Sequence, residues 1–448
     1  MLQTQKNTTW LGKLSAQTSI APLVVFRIAF GIMMFAATLR FVGKGWIDTL
    51  FVQPSYFFTF YGFEWIKPFS ANGMYTVFGI MMLCSVLIAT GLFYRIAAIV
   101  FFLLFTYVEL IDKTNYLNHY YFISIMAGIL CLLPANKAFS FDVKLGITKA
   151  VTTVPTWAIF ALQLQMAMVY FFAGISKINP DWLLNAMPLR IWLPAKADVP
   201  LIGAWLTEQW VAYAFCWIGM LFDVFVAFFL FNKKTVWYAY AIVVVFHVLT
   251  AILFPGIGMF PFIMIVCATI FLPAVFHERL IGTSATASVS STTTKASWLS
   301  QATLALLVLH FSIQAVLPFR YMLYPGKLFY TEQGYRFSWR VMLMEKVGYT
   351  IFTVRDAATG NSVEVNNRKF LSLQQEKQMS TQPDMILQFA QHLKDVYGKQ
   401  MQSPEVYAEA YVTINGRSSR LLIDPKVNLA AEQDGFANKK WILAQADK

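Results

Sequence analysis

Charge is scarce in this chain of 448 residues: only 13% are Asp, Glu, Lys or Arg. Ordinary soluble domains carry about 25%. So few charged groups cannot cover the surface of a protein this size, which excludes a single water-soluble globule. Cysteine is just as sparse. The four, Cys84, Cys131, Cys216 and Cys267, lie in apolar runs at no metal-ligand spacing. That argues against a disulfide scaffold or a metal site and for small buried hydrophobes. The polar stretch Met1 to Pro22 lacks a compact apolar core followed by a small-residue cleavage site, so no removable signal peptide is expected. Low-complexity sequence is confined to one short segment, which excludes a disordered or collagen-like chain. What is abundant is hydrocarbon: 58% of residues are apolar, with 41 Phe, 20 Tyr and 13 Trp. A polytopic membrane protein is what remains.

The apolar excess lies before residue 318. Nine spans are expected, at about 23–39, 74–94, 96–111, 120–134, 156–176, 211–231, 236–254, 258–275 and 299–317. Two of them, 96–111 and 120–134, fall short of the roughly 20 residues that cross hydrocarbon squarely, so eight full spans are the alternative. The runs are continuous rather than alternating, which predicts helices and not a barrel. A Gly/Ser/Thr/Ala stretch at about 280–298 reads as a flexible loop before the last span.

From residue 318 to 448 the composition turns polar. Tyr349-Thr-Ile-Phe-Thr-Val alternates, Ala357-Ala-Thr-Gly turns, and Ser362-Val-Glu-Val alternates again. Ala410-Tyr-Val-Thr-Ile, Asn415-Gly416 and Arg420-Leu-Leu-Ile make a second hairpin pattern, and a helix is expected at about 384–397. The fold class is therefore a polytopic α-helical membrane bundle, 1–317, with a C-terminal extramembrane α+β, β-rich domain, 318–448.

The net charge of +12 divides unevenly. Residues up to 317 hold 18 Lys and Arg against 10 Asp and Glu, and the tail holds 17 against 13. With the N-terminus cytoplasmic, inner loops carry 10 basic residues and outer loops 7, a bias in the positive-inside direction. Nine spans then place the tail outside the cytoplasm. No basic stripe interleaved with aromatics occurs in the tail, so nucleic acid is not an expected partner.

Ionisable groups inside spans are expensive, and each is a functional candidate. The most pointed cluster closes the fifth span: Tyr170-Phe-Phe-Ala173-Gly-Ile-Ser-Lys177-Ile-Asn-Pro-Asp-Trp182. From spacing alone, a lysine snorkelling to the headgroups is the better-supported reading. The sharper reading is a lysine in an apolar pocket, where desolvation disfavours the ammonium and lets the amine act as a base. A second cluster, Asp112-Lys-Thr-Asn-Tyr116-Leu-Asn118-His119, precedes the fourth span. His119 serves there either as an interfacial hydrogen-bonding group or as a proton carrier, and the sequence does not separate the two. His247 lies in the seventh span, where a helix–helix hydrogen bond is the ordinary use of a histidine. Arg27, Asp223 and Gln163 read as structural intramembrane polar residues, with Arg27 or a glutamine as the expected partner of Asp223. With the N-terminus inside, His119, Lys177 and His247 all fall in the outer half of the membrane, on the same side as the tail.

At these residues the sequence resembles the vitamin K-dependent γ-glutamyl carboxylase family in a compact, bacterial-type form. Asp112-Lys-Thr-Asn-Tyr-Leu-Asn-His-Tyr resembles its Asp-Lys-Thr…Asn-His motif, and Ala173-Gly-Ile-Ser-Lys-Ile-Asn-Pro-Asp-Trp resembles its Ala-Gly-x-x-Lys-Leu-x-x-Asp-Trp motif. Phe246-His247 through Ile257-Gly-Met259-Phe resembles its Phe-His…Ile-Gly-Met-Phe segment. Leu317-Pro-Phe-Arg through Phe337-Ser-Trp339 resembles the start of its extramembrane domain, and Asn415-Gly-Arg417 fits a later motif. The ordered set spans roughly residues 20 to 440.

The resemblance implies an enzyme that oxygenates reduced vitamin K, or a related menaquinol-type hydroquinone, with dioxygen to its 2,3-epoxide. The strong base so generated removes a glutamyl γ proton, and the carbanion takes up carbon dioxide. The implied partners are membrane lipid, a lipid-soluble quinol and a glutamate-containing peptide or protein; no metal is implied. Carried over by motif, Lys177 is the amine that starts the reaction and His119 orients or stabilises oxyanions. Asn118, Tyr116, His247, Trp182, Met259 and Arg340 are then contacts to quinol or substrate. The chain departs from the animal enzymes in lacking their paired cysteines, and in carrying Met342, Met344 and Glu345 where they have histidine. Those departures bear on propeptide recognition and on carboxylation, whereas epoxidation rests on Lys177 and His119. Two other readings compete: a quinol epoxidase or quinol-binding redox protein without carboxylation, and a transporter or lipid-binding protein. The transporter reading expects inverted repeats, and none is visible.

Overall fold

In lipid every backbone N–H and C=O must find its partner within the segment, so the apolar runs become helices. The fold is taken from a computed structural model, which describes residues 10–282 and 298–443. Most of the expected flexible loop at 280–298 lies outside the described residues. Among the described residues, seven helices are long and apolar enough to cross a membrane: α1 (Ala21–Gly43), α2 (Ala71–Thr90), α3 (Tyr94–Ile111), α5 (Thr156–Ser176), α6 (Gln209–Phe231), α7 (Val236–Leu253) and α9 (Trp298–Val316, continuing as a tighter turn). Between them lie α4 (Asn118–Leu132), which is shorter, and α8 (Phe260–Ala268). The apolar segment carrying α8 runs on to Phe271 and joins Ala274–Leu280 at a 110° bend, an eighth span if counted as one. The break at Pro273 thus falls in the eighth span, whereas the sequence placed its doubt on the third and fourth, which are unbroken helices, the fourth being the shorter.

Contacts at the helix ends fix the order of the passes. At one end Gln17–Ser19 pairs antiparallel with Thr153–Pro155, and the Arg27 guanidinium donates to the carbonyls of Ala135, Ala138 and Phe139. At the other end lies the C-terminal domain. Despite its length α4 runs from one end to the other: Asn118 touches the C-terminal domain, while the Leu130 carbonyl accepts from Tyr94 near the opposite end.

The C-terminal domain is a four-stranded antiparallel sheet in the order Ser362–Glu364, Lys346–Asp356, Pro404–Ile414, Arg420–Leu421. Alternate residues point inward: Thr350, Phe352 and Val354 on one long strand, Val406, Ala408 and Ala410 on the other. The helix α10 (Pro383–Tyr397) lays Ile386, Phe389, Ala390 and Leu393 on that face, the helical spacing of a one-sided core. Asn415 and Gly416 adopt the positive φ expected of them, 51° and 71°. They do not close a tight hairpin, however. Val412 pairs with Arg420, so the loop is wide, and Asn415 turns its side chain to the membrane bundle.

Interdomain contacts are polar and numerous. Across the junction Asp384 accepts from Lys113 (2.9 Å) while Arg336 of its own domain also pairs with it (2.7 Å), and Gln375 donates to Asp112 (2.9 Å). Asp181 pairs with Arg417 and accepts from Asn415, and Trp192 donates to Glu345. Burial alone pushes the Asp384 carboxyl up, but the adjacent Arg336 and Lys113 charges outweigh it and hold Asp384 well below the ordinary carboxylate range.

Candidate active site

Lys177 caps α5, its backbone N–H returning to the Gly174 carbonyl. The chain then reverses. Asn179 accepts from the Trp182 N–H at the start of a short helix, Pro180–Asn185, and this folds the Trp182 ring back beneath the lysine. The indole N–H donates to the Cys216 carbonyl on α6, and the ring centroid lies 5.4 Å from the Lys177 Nζ.

The partner of Lys177 is Asp223. Nζ stands 2.6 Å from Oδ2, and both residues are 7% exposed. The sequence reading gave Asp223 to Arg27 or a glutamine. That is corrected here: Arg27 is held by carbonyls at the far end of the bundle, and Gln163 donates to the Ile270 carbonyl. Gly174 makes the pairing possible. A Cβ there would lie 2.5 Å from the Val224 nitrogen and 2.9 Å from the Asp223 carbonyl carbon, so only glycine lets α5 and α6 approach this closely.

His247 is 1% exposed. Its Nε2 lies 3.0 Å from the Tyr170 hydroxyl, and its Nδ1 is buried without a partner. Lys177, Trp182, Asp223, His247 and Tyr170 line one cavity of about 230 Å³, walled otherwise by hydrocarbon from Phe215, Phe246, Leu253 and Phe260. The C-terminal domain closes it with Val341 and Met342. A flat aromatic with polar groups at opposite edges fits such a space: apolar walls for the ring, an amine at one edge and an orphaned imidazole nitrogen for another.

Other sequence candidates stand elsewhere. His119 does not line this cavity; its ring lies 6.0 Å from that of Phe260, which in turn stands 5.6 Å from His247. Tyr116 and Asn118 dock the C-terminal domain: Asn118 donates to the Arg340 carbonyl at 2.7 Å, and the Tyr116 hydroxyl accepts the Phe337 N–H at 2.9 Å. Met259 lines a small separate pocket with Met34 and Ile263. Arg340 faces a polar cleft of about 480 Å³ with Ser176, Asn179, Asp181 and Arg417, on the other side of the segment whose Val341 and Met342 close the cavity. Its guanidinium lies over the Tyr321 ring at 4.5 Å, and its buried Nε has no partner. Tyr170 opens the cluster around Lys177 but drew no role from the sequence, because a tyrosine in an apolar helix looks like core. Its spacing of seven from Lys177, two helical turns on one face, was the available signal.

Residues 16–275 match the family described as HTTM domain, and residues 299–448 match the one described as vitamin K-dependent gamma-carboxylase, lumenal domain. No solved structure matches the chain at a significant level.

Proposed function

Because the chain belongs to the HTTM-domain, vitamin K-dependent gamma-carboxylase family, we propose that it is a membrane enzyme coupling quinol epoxidation to glutamyl carboxylation, with Lys177 as the initiating base. The observation that carries this reading is a buried lysine–aspartate pair in an apolar cavity, beside a histidine with one free nitrogen. Reduced vitamin K, oxygenated by dioxygen, supplies the strong base that a glutamyl γ-C–H requires.

The protein's part is to hold and move one proton. Lys177 Nζ, as the free amine beside the Asp223 carboxylate, accepts it from a phenolic hydroxyl in the cavity, which is left as its anion. Asp223 at 2.6 Å can then receive it. The pair goes from net −1 to net neutral as the phenol becomes an anion, so the total charge held within the hydrocarbon walls does not change. Tyr170 fixes His247 so that its Nδ1 faces the opposite polar edge of a bound ring. His119, behind Phe260, positions that ring. The apolar walls and the lid of Val341 and Met342 exclude water that would quench a carbanion before carbon dioxide is captured. Arg340, cationic and without an ion-pair partner among the described residues, receives the glutamyl carboxylate in the adjoining cleft.

The Gln17–Ser19 pairing lies at the end of the bundle away from the C-terminal domain. With the inner-loop excess of basic residues, this supports a cytoplasmic N-terminus and an extracytoplasmic domain. The test is incubation of membranes containing the protein with vitamin K hydroquinone, labelled bicarbonate and a short glutamyl peptide. Epoxide together with peptide label is the expected result. Epoxide alone would leave a quinol epoxidase, and neither product under oxygen would overturn the reading.

A further inference from the structure

A second cavity, of about 430 Å³, opens between α3, α4 and α9, and the reaction proposed above makes no use of it. Tyr121, Ser124 and Gly128 of α4 line it, while Phe122, Ile123 and Met126 of the same helix pack into the bundle core. Its inner part is hydrocarbon, walled by Phe102, Gly128, Leu132 and Leu306. From Tyr121 to Leu132 it follows α4 for about 16 Å at the helical rise.

The outer end differs in kind. Glu109, near the end of α3, puts a carboxyl on the cavity wall, and among the described residues that carboxyl makes neither a hydrogen bond nor an ion pair. One turn deeper, the Thr106 hydroxyl is buried without a partner. His310, on α9, donates from Nε2 to the Gln165 Oε1, and the Gln165 Nε2 is buried without a partner. Aromatic rings crowd the same end: Phe337 lies 5.0 Å from Tyr116 and 4.9 Å from Tyr121. Polar groups buried in an apolar setting cost stability unless something satisfies them, and intramembrane carboxyls are rarely idle.

We propose that this cavity is a second, lipid-accessible binding site for a phenol-headed lipid. The phenolic hydroxyl bonds Glu109 and Thr106, the ring stacks among Tyr116, Tyr121 and Phe337, and a linear isoprenoid or alkyl tail follows α4 inward. A carboxyl head is disfavoured, because it would meet the carboxyl of Glu109. The aromatic cluster favours a ring over an aliphatic alcohol. The site does not depend on Lys177.

The test uses the full chain in nanodiscs and a long-chain 4-alkylphenol carrying a diazirine in the tail, with mass-spectrometric mapping of the crosslinks. Saturable labelling of peptides from α3, α4 and α9 is expected, competed by the phenol and not by its methyl ether. Glu109→Leu should raise the half-saturating probe concentration about tenfold, the worth of one hydrogen bond, and Glu109→Gln should restore most of it. Ser124→Leu fills the cavity and should abolish the labelling. Leu306→Trp fills it from the lipid side and should do the same if Ser124→Leu folds poorly. Lys177→Met should leave it unchanged, which separates this site from the proposed catalytic one. Non-saturable labelling spread over all lipid-facing helices, equal competition by the methyl ether, or wild-type labelling in both filled variants would overturn the proposal.

Discussion

Lys177 acts on a proton together with Asp223, 2.6 Å away. The amine takes the proton from the phenol and the carboxylate can receive it in turn, which makes the pair net neutral and frees the amine again, so the two residues should fail together. Lys177→Met is expected to reduce epoxide formation to background. Asp223→Asn keeps a hydrogen-bonding partner but removes the proton acceptor, and should lower kcat about 100-fold with KM little changed. The two changes should part company in stability. Removing the lysine strands a buried carboxylate, at a cost of ~3–5 kcal/mol, and Lys177→Met combined with Asp223→Leu should recover most of that in thermal unfolding. If the single Asp223→Asn variant turns over at the wild-type rate, the shared-proton account is wrong.

At the scale of elements, the site depends on how closely α5 and α6 approach. Gly174 sets that distance, since a side chain there would press on the Val224 nitrogen. Gly174→Val is expected to separate the helices, break the Lys177–Asp223 contact and cost ~1–3 kcal/mol from overpacking. Activity should be lost while the C-terminal domain keeps its own fold, which limited proteolysis will show as an intact fragment beginning near residue 318. Gly174→Ala, the smaller change, should retain part of the activity.

At the scale of the whole molecule, the lid over the cavity belongs to the C-terminal domain, so the junction matters to the chemistry. Two of the carboxylates that pin it are held low. The Arg417 hydrogen bonds hold Asp181 below the usual carboxylate range, and Arg336 and Lys113 overcome burial to do the same for Asp384. A depressed carboxyl stabilises the folded form above its unfolded value, about 3.9 for aspartate, and that contribution fades as pH falls further. The junction should thus be equally firm at pH 7 and pH 5 and loosen below about pH 4. Proteolytic release of the C-terminal domain, measured across that range, checks this. Asp384→Ala should show the acid phenotype already at pH 7, and unchanged protection in that variant would remove Asp384 from the account.

Much was decided along the chain. Apolar runs dictate helices because lipid offers the backbone no other partner, and alternation at 349–354 and 404–414 dictates strands because side chains there point alternately to core and solvent. The placement of Lys177 at a helix end followed from Asn179-Pro180 just beyond it. What the linear pattern could not carry was partnership. Asp223 is 46 residues from Lys177, and only the packing of α5 on α6 joins them. The motif Asp112 to Asn118 reads as part of a site, but its polar groups face the C-terminal domain and spend themselves on docking. Asn415-Gly416 has the conformation its residues prescribe, and a distant carboxylate, Asp181, decided what the turn is used for. Local sequence sets conformation because its forces act over a few bonds. Which polar groups meet in a low-dielectric interior depends on how whole helices pack, and that is settled only when the chain is folded.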